Sequence, residues 1–294
     1  MIDDRPSRTA KFVAAARALG VLLPDEAQLI DDPYGARVAG GVVARLVALS
    51  RRRPSLRPWL RRAAGPMLPW VAYLQVRSRV IDDVVRAFAG AASSARGAQL
   101  VILGAGFDAR AARLADALGA ARVFEVDHPA TQRLKRQRFG DLGRVDYLAW
   151  DFERDAMAAL PSRLAGAGLD RTCPTLTVWE GVTMYLTEPA VAATVAAVRA
   201  WSAPGSQLCF SYFERQQIER PTVQARLVAL GVRMWGEPFR FGWEPAALPA
   251  WMAAHHFRLV HDEELDAAAR RLLPDAWAAK LHARGRHVAL VEPA

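Results

Sequence analysis

From residue 97 onward, short apolar runs alternate with amphipathic stretches. "QLVILGAG" (99–106), "ARVFEVD" (121–127), "RVDYLAWD" (144–151), "PTLTVWEG" (174–181) and "SQLCFSYF" (206–213) read as strands, each short, apolar and ended by glycine or an acid. Between them "DARAARLADALG" (108–119), "PATQRLKRQRFG" (129–140), the broken "RDAMAALPSRLAGAG" (154–168) and "TEPAVAATVAAVRAWSAPG" (187–205) carry helical periodicity. Thr187 stands where an N-cap is expected and Gly205 lies past that helix's end. "HFRLVHDEE" (256–264) and "HVALVEP" (287–293) add two more strands, seven in all. Strands alternating with helices predict an α/β, doubly wound, mostly parallel sheet.

Residues 1–96 have no such alternation. "SRTAKFVAAARALG" (7–20) predicts a helix, a second begins after Asp32-Pro33, and a long one over about 70–90 leads into the first strand. The expected organisation is a helical cap over 1–96, a ligand-binding core over 97–294, and a cap-like insertion at about 214–245 between the fifth and sixth strands.

Composition narrows the class. The chain has 294 residues, 52% hydrophobic, enough for a large core. Cys173 and Cys209 are far apart in apolar runs, which predicts buried free thiols in a reducing compartment. "MIDDRPSRTAKF" has no apolar segment of the secretory kind, and no run approaches the roughly 18 residues of a membrane span, so the expected location is cytoplasmic. The net charge of +9 points to anionic partners, but the basic residues apart from Lys11, Lys135 and Lys280 are arginine, and no nucleic-acid-binding pattern accompanies them. The six histidines show no metal-ligand spacing, so no metal is expected.

The chemistry is expected at the carboxyl ends of the strands, where ligands of such sheets bind. Gly104, Gly106 and Ala109 fit the relaxed dinucleotide pattern, with Glu125 and Asp127 ending the next strand about 20 residues on. Three features point away from a dinucleotide. Phe107 and Asp108 stand where pyrophosphate would meet the helix, and a carboxylate there repels phosphate. Asp151 and Phe152 end the third strand, an acid and an aromatic suited to an adenine. Glu180 ends the fourth. Acids at 127, 151 and 180 suit a cationic, phosphate-free nucleoside, of which S-adenosylmethionine is the obvious candidate. Each residue also has a plainer reading: Asp127 and Asp151 as helix caps, Glu180 as a buried acid paired with Arg77, Tyr185 as core, and the arginines of 51–62 as solvated surface.

The order "RSRVIDD", "LVILGAGFDAR", "FEVDHP", "WDF", "EGVTMYL" resembles the leucine carboxyl methyltransferase family and its bacterial relatives, S-adenosylmethionine-dependent O-methyltransferases that often serve secondary metabolism. The resemblance runs from "SRTA" and "DDPY" to the last strand. It implies a seven-stranded, Rossmann-like methyltransferase core. It further implies Arg77 at the methionine carboxylate, Gly104 and Gly106 at the turn, Asp127 at the ribose, Asp151 and Phe152 at the adenine, and Glu180 near the amino-acid moiety. In eukaryotic members an N-terminal lysine also reaches the cofactor; Lys11 is the lysine nearest that place, with a longer spacing to "DDPY".

The expected reaction is methyl transfer to a carboxylate or hydroxyl of a small, partly apolar metabolite. A carboxylate acceptor is already ionised at neutral pH, so alignment and desolvation suffice. Trp59, Trp70, Trp235 and Trp243 are expected to exclude water, arginines of the cap to hold the acceptor's anion, and Tyr185 and Arg79 to stand on the acceptor side. An NAD-linked oxidoreductase and a non-catalytic S-adenosylmethionine-binding protein are the alternatives.

Overall fold

Seven strands form one sheet in the order β3-β2-β1-β4-β5-β7-β6. They are β1 (Gln99–Leu103), β2 (Arg122–Asp127), β3 (Val145–Ala149), β4 (Thr175–Trp179), β5 (Gln207–Phe213), β6 (Phe257–Glu264) and β7 (Arg286–Pro293). The structure is a computed structural model. It describes residues 6–92, 97–140, 142–143, 145–221, 237–281 and 283–294, so Trp235 and His282 lie outside the described residues. β1 to β5 pair in parallel, and β7 runs antiparallel to both β5 and β6. The order reverses between β1 and β4, which opens a crevice at their carboxyl ends.

The pleat explains the apolar strands. Successive side chains face opposite sides, so a strand covered on both faces is apolar throughout. Leu100 and Ile102 of β1 join one hydrophobic cluster, and Val101 and Leu103 join the other. The first cluster is completed by Val71, Leu74, Ile81 and Val85 of a long N-terminal helix, the second by Leu160, Leu164, Val191, Val195 and Trp201.

The N-terminal region supplies α1 (Arg8–Ala18), α2 (Gly35–Ala39), α3 (Gly41–Arg52), α4 (Arg57–Ala63) and α5 (Leu68–Ala92). Ser7 caps α1 by accepting from the Ala10 N–H at 3.0 Å. The single helix expected after Pro33 is two, because Gly40 turns the chain at φ +62° and ψ −179°. The helix expected over 108–119 is also two, Arg110–Arg113 and Ala115–Leu118, broken at the buried Leu114 (φ −110°, ψ 20°). Thr187 occupies the N-cap position of Glu188–Trp201, but its side chain accepts no capping bond. Cys209 is buried as expected, whereas Cys173 is only half-buried. Among the described residues no helix is long and apolar enough to cross a membrane.

Residues 237–243 return to the sheet beside β5. Trp243 donates its N–H to the Phe213 carbonyl at 3.2 Å and accepts from the Arg215 N–H at 3.0 Å. The Arg240 N–H donates to the Met184 carbonyl at 2.7 Å, which lays Phe239 beside Tyr185.

Candidate functional site

A cavity of about 550 Å³ opens at the crevice. Its floor is the turn after β1. Gly104 and Gly106 adopt φ +63° and +49°, the left-handed region that glycine enters without penalty. Gly104 also needs its bare α-carbon, since a Cβ there would stand 2.4 Å from Val182 Cγ2. The Gly104 N–H donates to the Val126 carbonyl at 2.8 Å.

Asp127, at the end of β2, lines the cavity and is buried. Its carboxylate accepts from the Gly106 N–H through one oxygen and, at 2.6 Å, from the His128 N–H through the other. Burial pushes its carboxyl pKa up, and those two N–H bonds pull against the push. The helix Pro129–Phe139 is capped by His128 instead, whose Nδ1 accepts from the Ala130 N–H at 3.2 Å. Asp127 is therefore not the helix cap. The turn N–H that a pyrophosphate would use is already given to a carboxylate, which sets this turn apart from a dinucleotide site.

Asp151 and Phe152 line the same cavity after β3. Asp151 accepts from the Glu153 N–H at 3.0 Å, and His128 Nε2 stands 3.6 Å away. Glu125, in contrast, is fully buried against Lys135 and does not reach the cavity; burial raises its carboxyl to about 7 against the pull of that ammonium.

The fourth side of the site is a buried ionic chain. Glu180, past β4, accepts from Arg77 Nε at 2.8 Å and from Arg110 Nη2 at 2.8 Å. Arg110 also contacts Asp108 and donates from Nε to Asp82 at 2.7 Å, and Arg113 donates to Asp82 at 2.6 Å. Burial opposes ionisation of Glu180, but Arg77 and then Arg110 overrule it and hold the carboxyl below its ordinary range. Asp108 is thus spent on Arg110 rather than offered to a ligand. Phe107 packs its ring into a cluster with Ala14, Ala109, Phe139 and Leu142. Arg77 Nε is committed to Glu180, and its two Nη atoms lie 3.6 and 3.7 Å from where a Cβ on Gly181 would stand, at the cavity wall.

Aromatic rings build the remaining wall. Phe12 of α1 and Trp70 and Tyr73 of α5 line one part, with centroids 6.3 Å apart for Phe12–Trp70 and 4.9 Å for Trp70–Tyr73. Tyr185, Phe239 and Phe213 line another, with Tyr185 stacked on Phe239 at 5.4 Å. Burial, and next the charge of Glu237, raise the Tyr185 pKa well above the ordinary range and keep the phenol protonated.

Several expectations need correction. Arg79 does not line the cavity; it turns outward to Asp83 at 2.9 Å. Trp59 does not line it either and is 81% exposed, while the arginines of 51–62 stay off the cavity in keeping with their reading as surface. Trp243 is buried among Phe210, Tyr212, Phe241 and Trp251. Of the four expected tryptophans only Trp70 lines the cavity among the described residues. Lys11 is absent from the lining, where its helix contributes Thr9, Ala10, Phe12, Val13 and Arg17. The histidine spacing also hid a cross-strand group: His287 Nδ1 lies 3.2 Å from Asp262 and Nε2 3.2 Å from Glu214, with Glu264 alongside. Both ring nitrogens face carboxylates, the arrangement of a histidinium.

Arg17, Asp82, Arg110 and Phe239 carry weight that sequence reasoning missed. Arg17 bridges Asp32 at 3.0 Å and the Phe107 carbonyl at 2.7 Å, so "DDPY" holds the α1 wall to the turn after β1. Asp82 in "RSRVIDD" and Arg110 in "GFDAR" were both visible as charges inside apolar surroundings, a signal of buried pairing.

The donor set fits a nucleoside with vicinal hydroxyls, an aromatic base and an amino-acid tail. Carboxylates stand at two strand ends and an arginine fork at a third. Comparison with known proteins agrees. The profile of the leucine carboxyl methyltransferase family matches residues 10–199. A protein of Mycolicibacterium smegmatis, provisionally named an S-adenosyl-L-methionine-dependent methyltransferase, is 33% identical over 217 residues, 71% of this chain and 67% of its own. One of the same name from Mycobacterium sp. strain KMS is 33% identical over 240 residues, 80% and 73%. The fold matches a crystal structure of a provisionally assigned methyltransferase from Thermobifida fusca (TM-score 0.57, 16% identity, 99% of this chain and 96% of that one). It also matches a duf574 family protein from Streptomyces avermitilis (TM-score 0.58, 15% identity, both chains covered in full).

Proposed function

The chain belongs to the leucine carboxyl methyltransferase family, and we propose from that premise that this S-adenosylmethionine-dependent methyltransferase transfers its methyl group to oxygen, foremost to a carboxylate of a small, partly apolar metabolite. S-adenosylmethionine supplies an electrophilic methyl on a sulfonium centre. The chain's residues bind and align. Gly104 and Gly106 let the backbone approach, Asp127 takes the ribose hydroxyls, and Asp151 with Phe152 takes the adenine. Arg77 presents its Nη edge to the methionine carboxylate, with Glu180 fixing Nε from behind. Because Glu180 already serves two guanidinium groups, its part is to orient Arg77 and to balance charge near the amino-acid end.

The observation that carries oxygen methylation is the state of the titratable groups on the acceptor side. Tyr185 is held protonated, and the imidazole that lines the cavity, His128, is tied to its helix cap. What remains beside Tyr185 among the described lining residues is the carboxylate of Glu237, a weak base toward an alcohol or phenol, which favours an acceptor that arrives already ionised. In that reaction one carboxylate oxygen forms the bond to methyl carbon, the carbon–sulfur bond breaks, its electron pair stays on sulfur, and no proton moves. The aromatic wall excludes water and desolvates the nucleophile.

The test uses methyl-labelled cofactor with pools of carboxylic and phenolic acceptors. A carboxyl methyl ester releases its label as volatile methanol in mild alkali, whereas a methyl ether or methylamine keeps it. Alkali-stable product overturns the carboxylate reading, and cofactor binding without turnover on any acceptor class overturns the catalytic one.

A further inference from the structure

Glu237 lies on the segment that returns beside β5, and it lines the cavity. The Arg240 and Phe241 N–H groups donate to the Met184 carbonyl at 2.7 and 3.4 Å, which holds that segment against Tyr185. Glu237 is half-buried, and among the described residues its carboxylate has neither an ion pair nor a hydrogen bond. The other lining carboxylates are occupied or distant. Asp108 rests on Arg110, Glu180 on Arg77 and Arg110, and Asp127 on two backbone N–H groups. Asp151 and Glu153 follow β3, at the opposite end of the parallel strands from β5. Arg240, the lining cation on the same segment, forms no ion pair with Glu237 and is exposed, so its charge is solvated.

We propose that the methyl acceptor carries a protonated amine, and that Glu237 is the carboxylate that receives it. This rests on the methyltransferase reading above; with methylation at a carboxylate, the acceptor is a zwitterion. A half-buried carboxylate without a counter-ion is costly and calls for a cation. The rings beside it suit one. Trp70, Tyr73 and Phe213 already face the Arg286 guanidinium, at 5.4, 4.6 and 5.2 Å. Tyr185 and Phe239, stacked at 5.4 Å in the cavity wall, carry no cation over their faces among the described residues. An ammonium lying against an aromatic face with a carboxylate at its side is stabilised by both. The charge of Glu237 is felt at the Tyr185 hydroxyl, which places the carboxylate beside that ring. The amino-acid end of the cofactor belongs to Arg77 and Glu180, so Glu237 is left to the acceptor.

Two probes of one skeleton separate charge from shape: 3-phenylpropylamine, protonated at neutral pH, and 3-phenylpropanol. Binding is measured by calorimetry on the full chain, with and without S-adenosylhomocysteine, for wild type, Glu237→Gln and Arg240→Met. Wild type is expected to bind the amine about tenfold or more tighter than the alcohol, the worth of a charge-assisted pair. Glu237→Gln should bring the two probes to the same affinity, and Arg240→Met should keep the preference for the amine. S-adenosylhomocysteine itself should bind Glu237→Gln as tightly as it binds wild type. Equal affinities for amine and alcohol in wild type, no measurable binding of the amine, or a preference that survives Glu237→Gln overturns the proposal. A loss of S-adenosylhomocysteine affinity in Glu237→Gln also overturns it, because the carboxylate would then serve the ammonium of the cofactor. Failure of S-adenosylhomocysteine to bind wild type would count against the methyltransferase reading, whereas the amine–alcohol comparison on the cofactor-free chain still decides the part of Glu237.

Discussion

Arg77 and Glu180, 103 positions apart, meet through a 2.8 Å bond from Nε to Oε1 that joins the long N-terminal helix to the end of β4. The pair turns the Nη edge of Arg77 toward the cavity wall and fixes its plane. Two planar donors in a set orientation are what a carboxylate needs, and a lysine offers one rotating ammonium.

Arg77→Lys is therefore expected to weaken S-adenosylhomocysteine binding by about tenfold to a hundredfold although the charge is kept. Arg52→Lys, Arg53→Lys and Arg62→Lys, on exposed positions of the N-terminal helices, should be silent because solvated charges contribute little. Calorimetric titration of the four variants separates a site arginine from the arginine background. Wild-type affinity in Arg77→Lys would mean that another group holds the methionine carboxylate.

Asp127 accepts two backbone N–H bonds and keeps further lone pairs for a ligand. Asp127→Ala should weaken cofactor binding by about tenfold to a hundredfold. Asp127→Asn tells the ligand role from the loop-stapling one. If stapling were all, cofactor affinity would fall only in step with the melting temperature in both variants.

How much of this was legible in the sequence depended on range. The central strands could be read because a strand covered on both faces is apolar along its whole length, as "QLVIL" and "TLTVW" are, while the edge strands β3 and β6, half-exposed and mixed in character, were read from the turn residues and helices on either side. The candidate site residues Arg77, Asp127, Asp151 and Glu180 stood at strand ends or in a motif, where their order alone marks them. The interior of the site was not legible. Arg110 meets Asp82 and Glu180, 28 and 70 positions away, and no local pattern encodes such a pairing. Trp59, in the arginine-rich "LRPWLRR", is exposed, whereas Trp70, in the apolar "MLPWVAYL" that opens the long helix, lines the cavity; grouping the two by aromatic content alone missed that difference. The His287 group was hidden for a related reason: β7 lies between β5 and β6, so Glu214 reaches it from just past β5 and Asp262 from β6.

Gly104 offers a control on the turn itself. Its φ of +63° disfavours any L side chain, and its missing Cβ leaves room for Val182. Gly119 has a similar φ of +52° but open space around it. Gly119→Ala should cost about 1–3 kcal/mol, the backbone penalty of placing an L side chain at φ +52° and ψ −114° with no clash added. Gly104→Ala should cost more and should also weaken cofactor binding, because Val182 lines the same cavity and must shift. Urea unfolding of the pair, with S-adenosylhomocysteine titration, reads both effects; equal stability loss and equal affinity would show that the turn tolerates a Cβ.

Buried titrating groups set an optimum of stability on the acid side of neutrality. Glu125 sits at about 7 in the folded chain, raised by burial from an ordinary 4.5, and its Oε1 is buried with no partner. Between these values the folded state holds a proton that the unfolded state has released, so stability falls as pH rises through that window, by up to about 1.4 kcal/mol per pH unit for one such group. His287 acts in the same direction. Burial lowers its pKa, but Asp262 and then Glu214 raise it above 6.5, so its contribution is present below that value and fades as pH climbs through the folded pKa. Asp82 and Glu180 act the other way. Burial raises both, the arginines beside them overrule it, and their contribution is lost as pH falls below the ordinary carboxylate range. The melting temperature should therefore peak near pH 4.5, at the lower edge of that window, and decline from there through neutrality. Glu125→Gln keeps the shape without the titration, so it should flatten the 4.5–7 limb and leave the decline below 4.5 untouched. A Glu125→Gln profile parallel to wild type through neutrality would show that the Glu125–Lys135 pair stays ionised and that the decline comes from His287.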